Sequence, residues 1–122
     1  RDRSKRPQMG AVVKDLADVA VVTSDNPRTE KPEAIIQDVL AGMDSPDGAR
    51  VHVEPDRPQA IRWALEQGKA GDVIVLAGKG HETYQEINHQ KFHMDEREIV
   101  QEYFAKRAQR RERTGNLAAG VV

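Results

Sequence analysis

The stretch VAVVTSDNPRTEKP, residues 19–32, decides the fold because an apolar run ends in it abruptly at a polar corner. Residues 19–23 are apolar or β-branched, as is typical of a strand that is covered on both faces. Pro32 stands where the first turn of a helix accepts proline. Apolar side chains then recur at helical spacing, at Ile35, Ile36, Val39, Leu40 and Met43. The stretch therefore predicts a strand, a polar loop and a helix in succession.

The same alternation continues on both sides of this stretch. The patterns predict a short helix, a strand, a second helix, a strand, an irregular hairpin and a last helix, at residues 10–16, 51–53, 61–68, 73–77, 87–94 and from Asp95. Alternating strands and helices predict an α/β fold, with a Rossmann-like, mostly parallel sheet and helices on both faces. Periodicity is lost over residues 109–122, so we expect a domain at 1–108 and a mobile tail.

The composition limits the class of protein. The chain has 122 residues, a net charge of -1 and no cysteine, which excludes a disulfide framework and thiolate metal sites. We expect a monomer of the reducing cytoplasm that binds neither nucleic acid nor membrane. The chain opens without methionine inside a basic stretch, RDRSKRPQMG. We interpret it as a piece of a longer protein, with a processed or trimmed chain as the alternative.

Two polar loops follow the predicted strands at 19–23 and 73–77. They contain Asp25, Asn26, Pro27 and Arg28 in the first loop, and Gly78, Lys79, Gly80, His81 and Glu82 in the second. Because ligands bind beyond the carboxyl ends of the strands in an open α/β sheet, we expect both loops to face one site. A guanidinium can hold a carboxylate bidentately, and a carboxylate can pair with an ammonium. A solvent-facing turn without a ligand remains the alternative for the first loop.

Other candidate sites are weaker. The second loop lacks the Gly-x4-Gly-Lys-Ser/Thr spacing of a phosphate-binding P-loop, and no such motif occurs anywhere in the chain. The histidines show no paired spacing for a metal, so we predict no metal site; they are His52, His81, His89 and His93.

Three segments, RDRSKRPQMG, VVTSDNPRTEKPEAIIQDVLAGM and VLAGKGHETYQ, resemble in order and spacing the carboxy-terminal domain of a Mur ligase. The resemblance covers residues 1 to about 104. Within this family, DNPR resembles the signature of enzymes that add meso-diaminopimelate, and not lysine, to UDP-N-acetylmuramoyl-L-alanyl-D-glutamate.

The resemblance implies an ATP-dependent amide ligase of peptidoglycan-precursor synthesis. In that family the D-glutamate carboxylate is phosphorylated, the amine of the incoming amino acid attacks, and phosphate leaves. Other domains of the complete enzymes bind the UDP-sugar, ATP and Mg²⁺, so the resemblance implies no catalytic residue here and an inactive chain in isolation. The alternatives are the equivalent domain of a folylpolyglutamate or amino-acid-polymerising ligase, and a non-catalytic amino-acid-binding module.

The resemblance also implies roles for individual residues. Contacts to meso-diaminopimelate fall on Arg1, Asp25, Asn26, Pro27, Arg28, Gly78 and Glu82. Asp2 and Lys5 fall near the nucleotide-facing edge, and the segment 1–6 is expected at a hinge or at that edge. Residues that precede Arg1 in the family are absent, so the domain is expected to be truncated at its N-terminal edge.

Overall fold

The computed structural model describes residues 3–78, 82–108 and 118–122. A 3-10 turn at Arg3–Lys5 leads into the first of the four helices within these ranges, α1 to α4, at Arg6–Leu16, Pro32–Leu40, Arg57–Gln67 and Glu96–Arg107. The strands β1 to β6 are Val19–Val22, Arg50–Val53, Val73–Leu76, Tyr84–Ile87, Gln90–His93 and Ala118–Val121. No helix in the described ranges is long and apolar enough to cross a membrane.

Four of the strands form a parallel sheet in the order β2-β1-β6-β3. In the register between β1 and β2, Val19 is opposite Arg50 and Val22 is opposite Val53. Strands β4 and β5 pair with each other as an antiparallel hairpin. The predicted α/β fold with a mostly parallel sheet is confirmed.

Strand β1 carries the core on both of its faces, and all four of its residues are buried. Val19 and Val21 pack with Ala60 and Ala64 of α3. Ala20 and Val22 pack on the other face, in a cluster that includes Ile36 and Val39 of α2 and Val13 of α1. Alternation of side chains along a strand explains this division, so the helices cover both faces as predicted.

Helices α1 and α2 approach each other closely through two glycines. A Cβ on Gly10 would collide with the carbonyl of Val39, and a Cβ on Gly42 would collide with the carbonyl of Pro7. The close approach holds the N-terminus of α1 beside the C-terminal end of α2.

The predicted mobile tail is wrong for residues 118–122. Strand β6 lies inside the sheet between β1 and β3, and Val121 is fully buried. A four-residue strand of alanine, glycine and valine carries too little periodicity and too low a β-propensity to be recognised from sequence. Residues 109–117 lie outside the described ranges.

Two further expectations need correction. The apolar run at 73–77 is typical of a strand covered on both faces, but Val73 and Val75 are exposed because β3 is the edge of the sheet. The hairpin begins at Tyr84 and is regular, with a two-residue turn at Asn88 and His89. Both turn residues have positive φ, of 50° and 64°, as a tight type I′ hairpin requires.

Candidate functional site

A cleft of about 550 Å³ lies at the carboxyl edge of the parallel sheet. The loops after β1 and β3 both line it, through Asp25, Asn26, Arg28, Gly78 and Glu82. The structure therefore brings Glu82 of the second predicted loop together with Asp25 and Arg28 of the first.

The first loop closes in a tight turn. The N–H of Glu30 donates to the carbonyl of Pro27 at 2.9 Å. Arg28, the residue after Pro27, has φ of 56°. This left-handed conformation costs a residue with a Cβ about 1–2 kcal/mol, so other contacts must hold Arg28 in place.

Those contacts come from the β4–β5 hairpin. The N–H of Arg28 donates to the carbonyl of Glu86 at 3.1 Å, and the N–H of Asn88 donates to the carbonyl of Arg28 at 2.6 Å. In addition, Oδ1 of Asn26 accepts from the N–H of Glu86 at 2.8 Å. The hairpin thus binds the first loop by its backbone and fixes the direction in which Arg28 leaves the turn.

A buried polar layer continues this brace below the loop. Nε2 of Gln85 donates to the carbonyl of Asp25 at 2.6 Å and to Oγ of Ser24 at 3.2 Å. Oγ of Ser24 in turn donates to the carbonyl of Pro55 at 2.7 Å. Gln85 and Ser24 are both buried, so water competes little with these hydrogen bonds.

The guanidinium of Arg28 is held much more loosely than its backbone. Its Nε lies 4.0 Å from Oε1 of Glu86, and its side chain is 41% exposed. A side chain in this state can turn towards an anionic ligand without breaking a strong ion pair.

The second loop meets the first across the cleft. Gly78 has φ of 103°, which a residue with a Cβ adopts only with strain. A Cβ built on Gly78 would lie 3.8 Å from Oδ2 of Asp25. Glu82 is half-buried and lines the same cleft. Carboxylates from both loops therefore accompany the guanidinium of Arg28.

Arg57 lies buried beneath both loops. Its Nε donates to Oε2 of Glu96 at 2.6 Å, and its Nη2 donates to the carbonyl of Ala77 at 2.7 Å. A longer bond of 3.4 Å runs from its Nη1 to the carbonyl of Ser24. Arg57 thereby contacts the residues that immediately precede Asp25 and Gly78.

Arg6 closes the cleft on the side of α1. It is buried and pairs with Glu30 at 2.8 Å and with Asp38 at 2.9 Å. Hydrogen bonds from Arg6 hold the pKa of both carboxyls below their usual values, and the bond to Glu30 chiefly raises the pKa of Arg6. The exposed Lys5 lies next to it and also lines the cleft.

The predicted site residues fall into two groups. Asp25, Asn26, Arg28, Gly78 and Glu82 line the cleft, whereas the buried Pro27 shapes the turn below it. Lys5 and Arg6 line the same cleft, so this end of the segment 1–6 lies on the side of the loops. Arg1, Asp2 and the loop residues 79–81 lie outside the described ranges. The contacts of all these residues with a ligand remain predictions.

Sequence reasoning missed Arg57 and Gln85. A signal for Arg57 did exist: an arginine in the first turn of a helix opposes the helix dipole, which indicates that a carboxylate holds it elsewhere. No local signal identifies Gln85, since its role depends on a pairing across 60 residues.

In residues 3–78, 82–108 and 118–122, no three His, Asp or Glu side chains converge where they could hold a metal ion.

Comparisons with known proteins find similar sequences and a similar fold. UDP-N-acetylmuramoyl-L-alanyl-D-glutamate--2,6-diaminopimelate ligase of Gloeobacter violaceus is 56% identical over 110 residues, which are 90% of this chain and 22% of that protein. The enzyme of the same name from Chromobacterium violaceum is 63% identical over 87 residues, 71% of this chain and 17% of that protein. A solved structure of a ligase of this name superposes with a TM-score of 0.83 at 44% identity, covering 90% of this chain and 22% of that one.

The chain thus spans about a fifth of the length of these relatives. A family model described as "Mur ligase, glutamate ligase domain" matches residues 1–80. The chain belongs to the family of Mur ligase glutamate ligase domains.

Proposed function

We propose that this chain is the amino-acid-binding domain of an ATP-dependent ligase of peptidoglycan-precursor synthesis. The ligase adds meso-diaminopimelate to UDP-N-acetylmuramoyl-L-alanyl-D-glutamate. The observation that carries the proposal is the cleft, which combines one loosely held guanidinium with carboxylates from two loops. The names of the similar ligases support this substrate over a folate or polymerising ligase, and over a non-catalytic module.

The charges of the cleft fit the proposed amino acid. Meso-diaminopimelate carries two carboxylates and two ammonium groups. Arg28 offers two parallel N–H donors to a carboxylate, and Asp25 and Glu82 offer acceptors to an ammonium. The guanidinium groups of Arg6 and Arg57 already have carboxylate partners, so Arg28 is the best-placed described arginine for the ligand.

In this proposal, Asn26 acts mainly by holding the first loop against the hairpin. Its Oδ1 accepts from the backbone of the hairpin, so a contact with the amino acid would come from its Nδ2. Pro27 limits the backbone before Arg28 to one φ and keeps the turn rigid.

In the full-length ligase, ATP supplies the activation of the D-glutamate carboxylate. This chain binds and orients the attacking amine, and a bound and oriented amine reacts far faster than a free one. We place ATP and Mg²⁺ mainly on the other domains, and we place the ligase in the cytoplasm as a monomer. We assign Lys5 to the edge that faces the nucleotide on closure.

Calorimetric titration tests the proposal. Meso-diaminopimelate and L-lysine are titrated into the full-length protein in the presence of the UDP-linked precursor and a non-hydrolysable ATP analogue. We expect binding of meso-diaminopimelate and at least tenfold weaker binding of lysine, because lysine leaves Arg28 without its carboxylate. Equal affinities, or no binding of either amino acid, would contradict the proposal.

A further inference from the structure

Arg57 is the most deeply buried charged group of the described chain, and it lies outside the set of predicted ligand contacts. Its side chain has no exposed surface, and that of its partner Glu96 is 8% exposed. Burial of a charge is costly unless its hydrogen bonds are satisfied. Arg57 satisfies its hydrogen bonds through three contacts, with Glu96, Ala77 and Ser24.

The positions of these contacts are informative. Ser24 is the second residue after β1 and precedes Asp25, while Ala77 follows β3 directly and precedes Gly78. Strands β1 and β3 are not neighbours, because β6 lies between them. A planar guanidinium with rigidly arranged donors can hold two carbonyls at a fixed separation, which a single ammonium group cannot do.

We propose that Arg57 is a positioning residue that sets the distance between the two substrate loops, with Glu96 fixing the rotation of its guanidinium. The proposal rests on the proposed function of the cleft. It differs from a merely stabilising role because it couples Arg57 to the affinity for the amino acid, and to no other substrate. Arg57 has no contact with the ligand in this account.

Kinetics of the full-length ligase with Arg57→Lys provide the test, with Arg62→Lys as the matched control. Arg62 lies on the same helix but is exposed, so Arg62→Lys makes the same replacement, with the charge retained, in the same helix. In Arg57→Lys the ammonium can still pair with Glu96 but loses the fork across both carbonyls. Misplacement of loops by about an ångström costs up to about a hundredfold in rate.

We expect Arg57→Lys to raise KM for meso-diaminopimelate about tenfold or more, since the loops then lose their common anchor. The KM values for ATP and for the UDP-linked precursor should stay close to those of Arg62→Lys, whereas the Tm should fall, because the buried carbonyls of Ser24 and Ala77 lose donors. An unchanged KM for the amino acid overturns the proposal. A lower Tm with all three KM values raised together also overturns it, because that pattern indicates a structural role.

A second variant covers the case in which Arg57→Lys does not fold. Glu96→Gln keeps an acceptor for Nε but removes the charge that fixes the guanidinium, and it should raise KM for the amino acid selectively, by a smaller factor. If Glu96→Gln leaves this KM unchanged when Arg57→Lys is unfolded, the proposal fails. If the unsubstituted ligase shows no phosphate release dependent on meso-diaminopimelate, the proposed function itself fails and this inference falls with it.

Discussion

Replacing Arg28 by alanine and by glycine separates its role in binding from its effect on the fold. Both changes remove the guanidinium that lines the cleft. Only glycine also relieves the left-handed backbone at φ of 56°. If Arg28 grips the distal carboxylate of meso-diaminopimelate, both variants should lose affinity for it to the same extent while they differ in stability.

The expected size of the loss follows from the exposure of the side chain. A charge-assisted hydrogen bond contributes about 1.5–3 kcal/mol when shielded from water, and a bidentate grip forms two. Since the side chain of Arg28 is 41% exposed, screening reduces the sum, and we take about 2–3 kcal/mol for the pair. At about 1.4 kcal/mol per tenfold, KM for meso-diaminopimelate should rise about 30- to 140-fold.

Arg28→Gly should be more stable than Arg28→Ala, although glycine has the smaller side chain. Alanine keeps the strain of the left-handed turn, whereas glycine adopts it freely but loses more backbone entropy on folding. We expect Arg28→Gly to exceed Arg28→Ala by about 0.5–1 kcal/mol in the free energy of unfolding by urea.

Steady-state kinetics with both amino acids check the binding part. The KM for ATP should remain within about twofold, because the lost contact concerns the amino acid alone. If Arg28→Ala leaves both KM for meso-diaminopimelate and the preference over lysine unchanged, Arg28 is a solvent-facing turn residue and the assignment is refuted.

Three other outcomes are expected. Acid should weaken the fold through Glu30 and Asp38, because Arg6 lowers their pKa values below the ordinary 4.5 and 3.8. Their stabilisation is present above those ordinary values and is lost as the pH falls through the folded-state pKa values. The free energy of unfolding by urea should therefore depend less on pH in this range for the double variant Glu30→Gln/Asp38→Asn. Asn26→Ala should lower the free energy of unfolding by about 1 kcal/mol by leaving the N–H of Glu86 without Oδ1, while Asn26→Asp keeps an acceptor and should stay closer to the unsubstituted chain; equal losses would contradict this. The 122-residue chain alone should release no phosphate from ATP, because its sequence contains no P-loop; a colorimetric phosphate assay showing release dependent on the precursor would refute this.

Much of the fold was predictable because its signals are local. The apolar run at Val19–Val22 and the periodic residues after Pro32 each specify an element without help from distant residues. The parallel arrangement then places the ends of β1 and β3 at one edge, so the convergence of Asp25 and Gly78 followed from topology alone.

The unpredicted features depend on pairings between distant residues. Strand β6 acquires its place from neighbours on both sides, and its own sequence is a poor strand former. The hairpin was located only approximately because Asn88 and His89 form a type I′ turn without the glycine that usually marks one. Arg57 pairs with Glu96 across 39 residues, and no sequence pattern identifies a partner at that separation.

The braces around the cleft explain how one strained residue can serve as a recognition group. Arg28 holds an unfavourable φ because hydrogen bonds with the carbonyl of Glu86 and the N–H of Asn88 fix its backbone on both sides. Among the described residues, the only partner of its guanidinium is distant, at 4.0 Å. A rigid backbone with a weakly engaged charge loses little entropy and breaks few bonds when a ligand arrives. Selectivity at this site should therefore depend as much on the β4–β5 hairpin as on the loop that carries Arg28. Substitutions in the hairpin should alter which amino acid is accepted, although the hairpin residues do not contact that amino acid.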